Sequence, residues 1–375
     1  MSIAVPAVLM RGGTSKCWTF DLRELDGLTD DRDGLLLRAY GSPDLRQVDG
    51  VGGATSTTSK AALLAPSQRD GVHVEYTFAQ IGIAEAKVDW SNNCGNCATV
   101  VGLYAVQQGW VAPTGDLTRV MVLNTNTGKL IAQDVPTPGG HPTNEGEVRI
   151  DGVPFPGPGI RMGFVRPQGA VTGRLLPTGR AVDHLDTERG PVRATLVDAG
   201  NPSALLWGPD LGLDGTELPA RVDGDTDLLR VLDQARAHAS ELMGIAPDRA
   251  RAAEVSRAIP KLAWLAPSTD QRTLSGEAVR ADEADVSARM LSMGRTHPAL
   301  AVTVSVAVAA AAATPGTVVP ESARHRDPLR LSTPSGVLPL WTSSEDGELD
   351  TVFVLRNARR LATATLDVPT SAALG

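Results

Sequence analysis

Two stretches of this chain run for helical lengths without one charged side chain, residues 98–106 and residues 299–313. A tight polar turn precedes each: Asn93-Cys94-Gly95-Asn96 before the first and Ser292-Met293-Gly294 before the second. A helix that is apolar on every side must be buried on every side. The chain therefore has to wrap other structure around two central helices, and the short apolar runs beside them read as strands. The expected architecture is a duplicated α/β fold. The second stretch contains Thr303 and Ser305 and falls short of the roughly 18 consecutive apolar residues of a membrane span.

Residues 72–78 alternate with period two, as a half-buried strand does. Further strands are expected at residues 120–123, 130–134, 147–150, 192–198, 205–207 and 261–265. Helical spacing marks residues 31–40, closed by Gly41-Ser42-Pro43, and an amphipathic helix is expected over 228–243. At roughly 100–200 residues per domain, the 375 residues predict two units, residues 1–185 and 186–375. The strand at 351–355 is free to return to the first.

Hydrophobic residues make up 42% of the chain and aromatics only 4%, while 38 glycines and 26 prolines supply corners. That balance suits a strand-rich fold with many turns. A net charge of -8 removes the electrostatic footprint of a nucleic-acid binder. The first residues carry no basic n-region, so a secretory signal is not expected. Cys17, Cys94 and Cys97 are too few for a disulfide framework; a reducing, cytoplasmic setting is expected.

Chemistry concentrates in a few turns. Cys94 stands at the start of an apolar helix, where free N–H groups and the helix dipole favour anions and thiolates. It could serve as an acid or base; the plainer reading is a small apolar residue packed at a turn. Cys94 and Cys97 also spell Cys-x-x-Cys, which raises redox chemistry or zinc. No second cysteine pair or histidine pair supports zinc, so no metal is expected. The segment from Gly50 to Lys60 includes Gly53, Ser56 and Ser59, and its glycines let backbone N–H groups approach a carboxylate. Lys60 leads into an apolar run, where it loses charge more easily and can act as a general base. It lacks the Gly-Lys-Ser/Thr of a nucleotide loop, and Thr57 breaks a Ser-x-x-Lys motif. Arg11, Gly13, Thr14 and Ser15 form a further candidate anion-binding turn. His297 could meet an acidic ligand, whereas His73, His141, His184, His238 and His325 have no clustered partners in sequence.

Read together, Met10-Arg11-Gly12-Gly13-Thr14-Ser15-Lys16, Asp49-Gly50-Val51-Gly52-Gly53-Ala54-Thr55-Ser56, Ser59-Lys60, Asn93-Cys94-Gly95-Asn96, Pro260-Lys261, Leu291-Ser292-Met293-Gly294, Pro315-Gly316-Thr317 and Pro334-Ser335-Gly336 resemble the PrpF family, in order along almost the whole chain. That family includes 2-methylaconitate cis–trans isomerase and the 4-oxalomesaconate tautomerases. The resemblance implies a diaminopimelate epimerase-like fold of two similar domains, each a β-roll around a central helix, with the site between them. It implies a cofactor-independent allylic isomerisation of a small unsaturated polycarboxylate, 2-methylaconitate-like in the first instance, with Lys60 and Cys94 as the catalytic pair. Substrate contacts would come from Arg11, Gly13, Thr14, Ser15, Gly53, Ser56, Asn93, Gly95, Asn96, Asn201, Ser292, Met293, Gly294, His297, Ser335 and Gly336. Neither nucleic acid nor membrane is an expected partner, and self-association is left open.

Four positions depart from the family pattern. Cys17 stands where glycine is usual, and Cys97 is an unusual neighbour for the catalytic cysteine. Asn201-Pro202-Ser203 replaces more apolar residues, and Thr333 replaces a histidine before Pro-Ser-Gly. These changes leave an isomerase of an oxalomesaconate-like or specialised unsaturated acid beside the methylaconitate reading, and two other function classes stay open: a thiol redox protein using Cys94 and Cys97, and a non-catalytic binder that keeps the fold.

Overall fold

The computed structural model describes residues 2–91, 93–150, 152–324 and 326–370; His325 therefore lies outside the described residues. The chain forms two compact units, Met1–Met162 with Arg356–Gly375, and Gly163–Leu355.

In the first unit, β1 (Ser2–Gly12) turns at Gly13-Thr14 into antiparallel β2 (Ser15–Asp21). A crossover carrying α1 (Leu22–Asp26) and α2 (Arg32–Tyr40) leads to β3 (Lys60–Pro66), parallel to β2. Next, β4 (Val74–Ile81) pairs antiparallel with β3 and folds back as the short β5 (Val88–Asp89). The chain then enters α3 (Gly95–Ala98) and α4 (Val100–Gln107). Thr99 between them keeps helical angles, φ −57° and ψ −29°, so the two run on as one helix. From there β6 (Leu117–Asn124) returns parallel to β4 and makes a hairpin with β7 (Lys129–Pro136). Every residue from Val100 to Val106 is buried, as the absence of charge requires. On the other face of the strands, Leu35, Leu36 and Tyr40 of α2 pack with Phe20, Ala61, Leu63 and Ile81.

The strand β8 (Gly159–Val165) leads out of this unit. The second unit begins its sheet with β9 (Asp183–Thr187) against β10 (Gly190–Ala199), then β11 (Asn201–Trp207) antiparallel to β10. Its crossover holds α5 (Pro219–Asp223), α6 (Thr226–Leu242) and α7 (Ala252–Val255), and ends in β12 (Lys261–Pro267), parallel to β11. A small separate hairpin, β13 (Gln271–Arg272) with β14 (Ala278–Val279), precedes β15 (Val286–Ser292), antiparallel to β12. The turn into β16 (Arg295–Thr296) then leads to α8 (Val302–Ala312), in which every residue is buried. Finally β17 (Leu329–Thr333) lies parallel to β15 and makes a hairpin with β18 (Gly336–Glu345), which pairs with β19 (Glu348–Pro369). The last part of β19 belongs to the first unit and pairs with β1, from Gly12↔Ala358 to Ser2↔Pro369.

The two units thus repeat one topology: antiparallel pair, parallel crossover, antiparallel pair, short return strand, apolar helix, parallel strand, hairpin. The expected duplication is present. Its clearest trace in sequence is KAALLAP at β3 and KLAWLAP at β12, identical at five of seven positions. Ala61 and Leu63 join the α2-side core, and Leu262 and Trp264 join the α6-side core. Strand alternation therefore puts Lys60 on the opposite, central-helix face of β3, whereas Lys261, at the head of β12, borders a cavity that α6 also lines.

One expected strand fails. At residues 147–150 only Val148 bridges, to Gly157. Pro154, Pro156 and Pro158 lack the N–H groups a longer ladder needs.

Candidate active site

Lys60 opens β3 and is only 8% exposed. Its Nζ donates to Gln80 Oε1 at 2.7 Å and lies 4.9 Å from the centre of the Phe78 ring. Gln80 is held in turn, its Nε2 donating to the Ser59 carbonyl at 2.9 Å. Tyr40 Oη donates to the Lys60 carbonyl from beneath. The amine thus rests on a neutral amide and an aromatic face.

Cys94 caps α3 with extended backbone angles, φ −119° and ψ 102°, and its Sγ accepts the Cys97 N–H at 3.4 Å. It is half-buried, whereas Cys97 and Cys17 are buried. The Cys97 side chain and burial push the Cys94 thiol well above its ordinary range, while the nearby charge of Lys60 pulls the other way.

The turn from Arg11 to Ser15 lies against the same helix start. Asn96 Nδ2 donates to Thr14 Oγ1 at 3.0 Å. A Cβ on Gly12 would come within 2.1 Å of the Asn96 carbonyl oxygen, and one on Gly13 within 2.3 Å of Asn96 Oδ1. Only glycine lets the turn seat so closely. Gly13 N–H donates to the Asn357 carbonyl at 2.9 Å, and Ser15 is buried at the head of β2. Asn93 Oδ1 accepts from buried Asn124 at 2.9 Å. Arg11 donates through Nη1 to the carbonyls of Gly13 and Asn357 and to Asn357 Oδ1, so this part of its guanidinium braces the turn.

Gly53 and Ser56 sit on the loop that leads to Lys60. The loop is tied internally by Thr55, Thr58 and Ser59 and externally by Gln47, whose Oε1 accepts from Ala54 N–H at 2.8 Å and from Ser59 Oγ at 2.6 Å. The polar support from Gln47 and Gln80 was missing from the sequence reading. The β3–β4 register, which puts Lys60 opposite Gln80, is the signal that identifies the latter.

In the second unit, Asn201 Nδ2 donates to Thr303 Oγ1 at 3.3 Å, at the start of α8. Buried His297 accepts the Ala299 N–H on Nδ1 at 3.0 Å. Ser335 Oγ donates to the Pro298 carbonyl at 2.6 Å, and Thr333, in the place of the usual histidine, donates to the Gly336 carbonyl and holds that turn closed. Ser292, Met293 and Gly294 line a cavity of about 280 Å³ together with Arg236, Arg257 and Lys261. Among the described residues no group of three or more His, Cys, Asp or Glu is placed to hold a metal ion, and no helix is long and apolar enough to cross a membrane.

A family model described as PrpF protein matches residues 2–369. The chain belongs to the PrpF family. Like its PrpF relatives it is an isomerase. It is 37% identical over 361 residues to the 3-methylitaconate isomerase of Eubacterium barkeri, covering 95% of each chain. It is 36% identical over 387 residues to the 2-methyl-aconitate isomerase of Shewanella oneidensis, covering 98% of this chain and 97% of that one. The crystal structure of a methylitaconate-delta-isomerase superposes with a TM-score of 0.82 at 35% identity, over 100% of this chain and 99% of that one. A hydroxyproline epimerase from Agrobacterium vitis, with a TM-score of 0.56 and 13% identity over 99% and 93% of the two chains, shares the fold alone. The PrpF chain thus has the epimerase-like architecture that the family resemblance implied.

Proposed function

We propose that this PrpF isomerase moves or rotates the double bond of a small unsaturated polycarboxylate, 2-methylaconitate-like in the first instance, with Lys60 and Cys94 handling the proton. The observation that carries the reading is a buried amine held on a neutral amide, close enough to a half-buried thiol to act on it electrostatically. The free amine of Lys60 takes a proton from the carbon next to the double bond. The electron pair spreads through the conjugated carboxylate as a dienolate. The Cys94 thiol then returns a proton, at the far end of the allylic system or on the original carbon after rotation. Turnover leaves an ammonium and a thiolate beside each other, and proton transfer between them restores the starting pair.

Dienolate oxygens need preorganised donors. The first N–H groups of a helix have no intrahelical acceptors, and Cys94 Sγ takes only that of Cys97, so those of Gly95 and Asn96 suit this task. Thr14 and Ser15 extend the polar wall. For Asn201, His297, Ser335, Gly336 and the Ser292-Met293-Gly294 turn, substrate contact rests on the family resemblance alone.

Proton exchange in heavy water, screened with trans-aconitate, 2-methylaconitate and oxalomesaconate, tests the proposal. At least one acid should incorporate deuterium, and Lys60→Met should abolish incorporation while the fold persists. Full exchange in that variant would remove Lys60 from the mechanism. Absence of exchange with all three acids would move the substrate to another class of unsaturated acid.

A further inference from the structure

The three cysteines of this chain come from separate positions and meet at one corner. Cys17 lies on β2, Cys94 caps α3, and Cys97 sits at the third helical position. The Cys97 side chain interacts with the thiols of both others. Their accessibility is graded: Cys17 and Cys97 are 0% exposed, and Cys94 is half-buried. A dissolved oxidant therefore meets Cys94 first. Its nearest sulfur neighbour on the same turn is then Cys97, because a cap side chain and the third helical residue face each other, here with Sγ already 3.4 Å from the Cys97 nitrogen.

We propose that Cys94 and Cys97 form a reversible disulfide that switches this isomerase off. The inference rests on the proposed catalytic role of Cys94 only for its effect on activity, not for bond formation. With a small disulfide such as oxidised glutathione as the oxidant, the Cys94 thiolate attacks one sulfur and expels one glutathione thiolate. The Cys97 thiolate attacks the Cys94 sulfur of that mixed disulfide and expels the second. Two protein thiols are oxidised, one small disulfide is reduced to two thiols, and the two protein protons pass to the leaving groups. The thiolate is the attacking species, and the Cys94 thiol is pushed up by its Cys97 neighbour and by burial, so closure should quicken as pH rises above neutral. Cys17, behind Cys97, is not needed for the step.

Full-length protein incubated with millimolar oxidised glutathione, then trapped by acid alkylation and read by mass spectrometry, tests this directly. The expected product has lost two hydrogens, with Cys94 linked to Cys97 and Cys17 alkylated. Isomerase activity should fall in proportion to the linked fraction and return with dithiothreitol. Cys97→Ala should stop at a persistent glutathione adduct on Cys94, and Cys17→Ala should still close. A wild-type protein that keeps three free thiols, or that stops at the adduct, would overturn the proposal whatever the substrate is. A link between Cys17 and Cys97 would overturn it as well. Should the Cys94–Cys97 link form with activity unchanged, the switch and the catalytic assignment of Cys94 fail together, whereas loss of exchange activity in every reduced sample would count against the substrate reading alone.

Discussion

Lys60 and Gln80 stand directly opposite each other on the antiparallel β3–β4 ladder, and the amine donates to the amide oxygen at 2.7 Å. The pairing holds a buried lysine in place, with no ion-pair partner for it among the described residues. A carboxylate at position 80 would change that, because an opposite charge favours the ammonium form.

Gln80→Glu should therefore hold Lys60 in an ion pair and withhold it from the substrate, lowering the rate of proton exchange by about 10²-fold or more. Gln80→Leu removes the hydrogen bond without adding a charge and should lose less. Exchange rates of both variants check the order.

Replacing Cys94 by serine keeps a small hydroxyl at the helix cap but removes the acidic group. A proton-transfer residue typically contributes about 10²–10⁴-fold, so kcat should fall by that order while KM changes much less. Steady-state kinetics on whichever acid exchanges would measure the split.

Gly13 has φ +48° and lies so close to Asn96 that a Cβ would collide with its side-chain oxygen. Gly13→Ala should cost about 1–3 kcal/mol from the backbone conformation and also push Asn96 off Thr14. Urea unfolding and kinetics together should report lower stability and lower activity. A neutral result would mean that the turn tolerates a shift.

His238 accepts the Asp186 N–H on Nδ1 at 2.8 Å. Burial first, and Arg249 second, lower its pKa below 6.5. Between that lowered value and 6.5 the unfolded chain binds more protons than the folded one, so stability rises with pH through this window. The contribution is complete above 6.5 and is lost as pH falls through the folded-state value. His238→Gln should flatten the fall of Tm on acidification; thermal melts from neutral to mildly acid buffer would reveal it.

The two central helices were legible because their residues carry no charge, and burial of such helices follows from local composition alone. Their flanking turns were legible for a similar reason: glycine, asparagine and cysteine at a helix start have distinct chemistry wherever the fold takes them. Lys60 could be singled out from its entry into an apolar run. The expected strand at 147–150 failed because apolar alternation counts side chains, while a ladder needs N–H groups that the nearby prolines do not supply. KAALLAP and KLAWLAP are alike as strings, but only the matching strand order of the two units shows what the likeness means.

By itself, then, the sequence determined which segments must be buried and where the reactive side chains sit along the chain. The tertiary structure alone decided the partners. Gln80 meets Lys60 through strand register, Cys17 meets Cys97 across the β2–α3 contact, and Asn357 reaches Arg11 from the far end of the chain. Burial is encoded in the periodicity of neighbouring residues. A hydrogen bond between residues distant in sequence depends on how strands pair, and a one-residue change in that pairing would send each side chain to the other face.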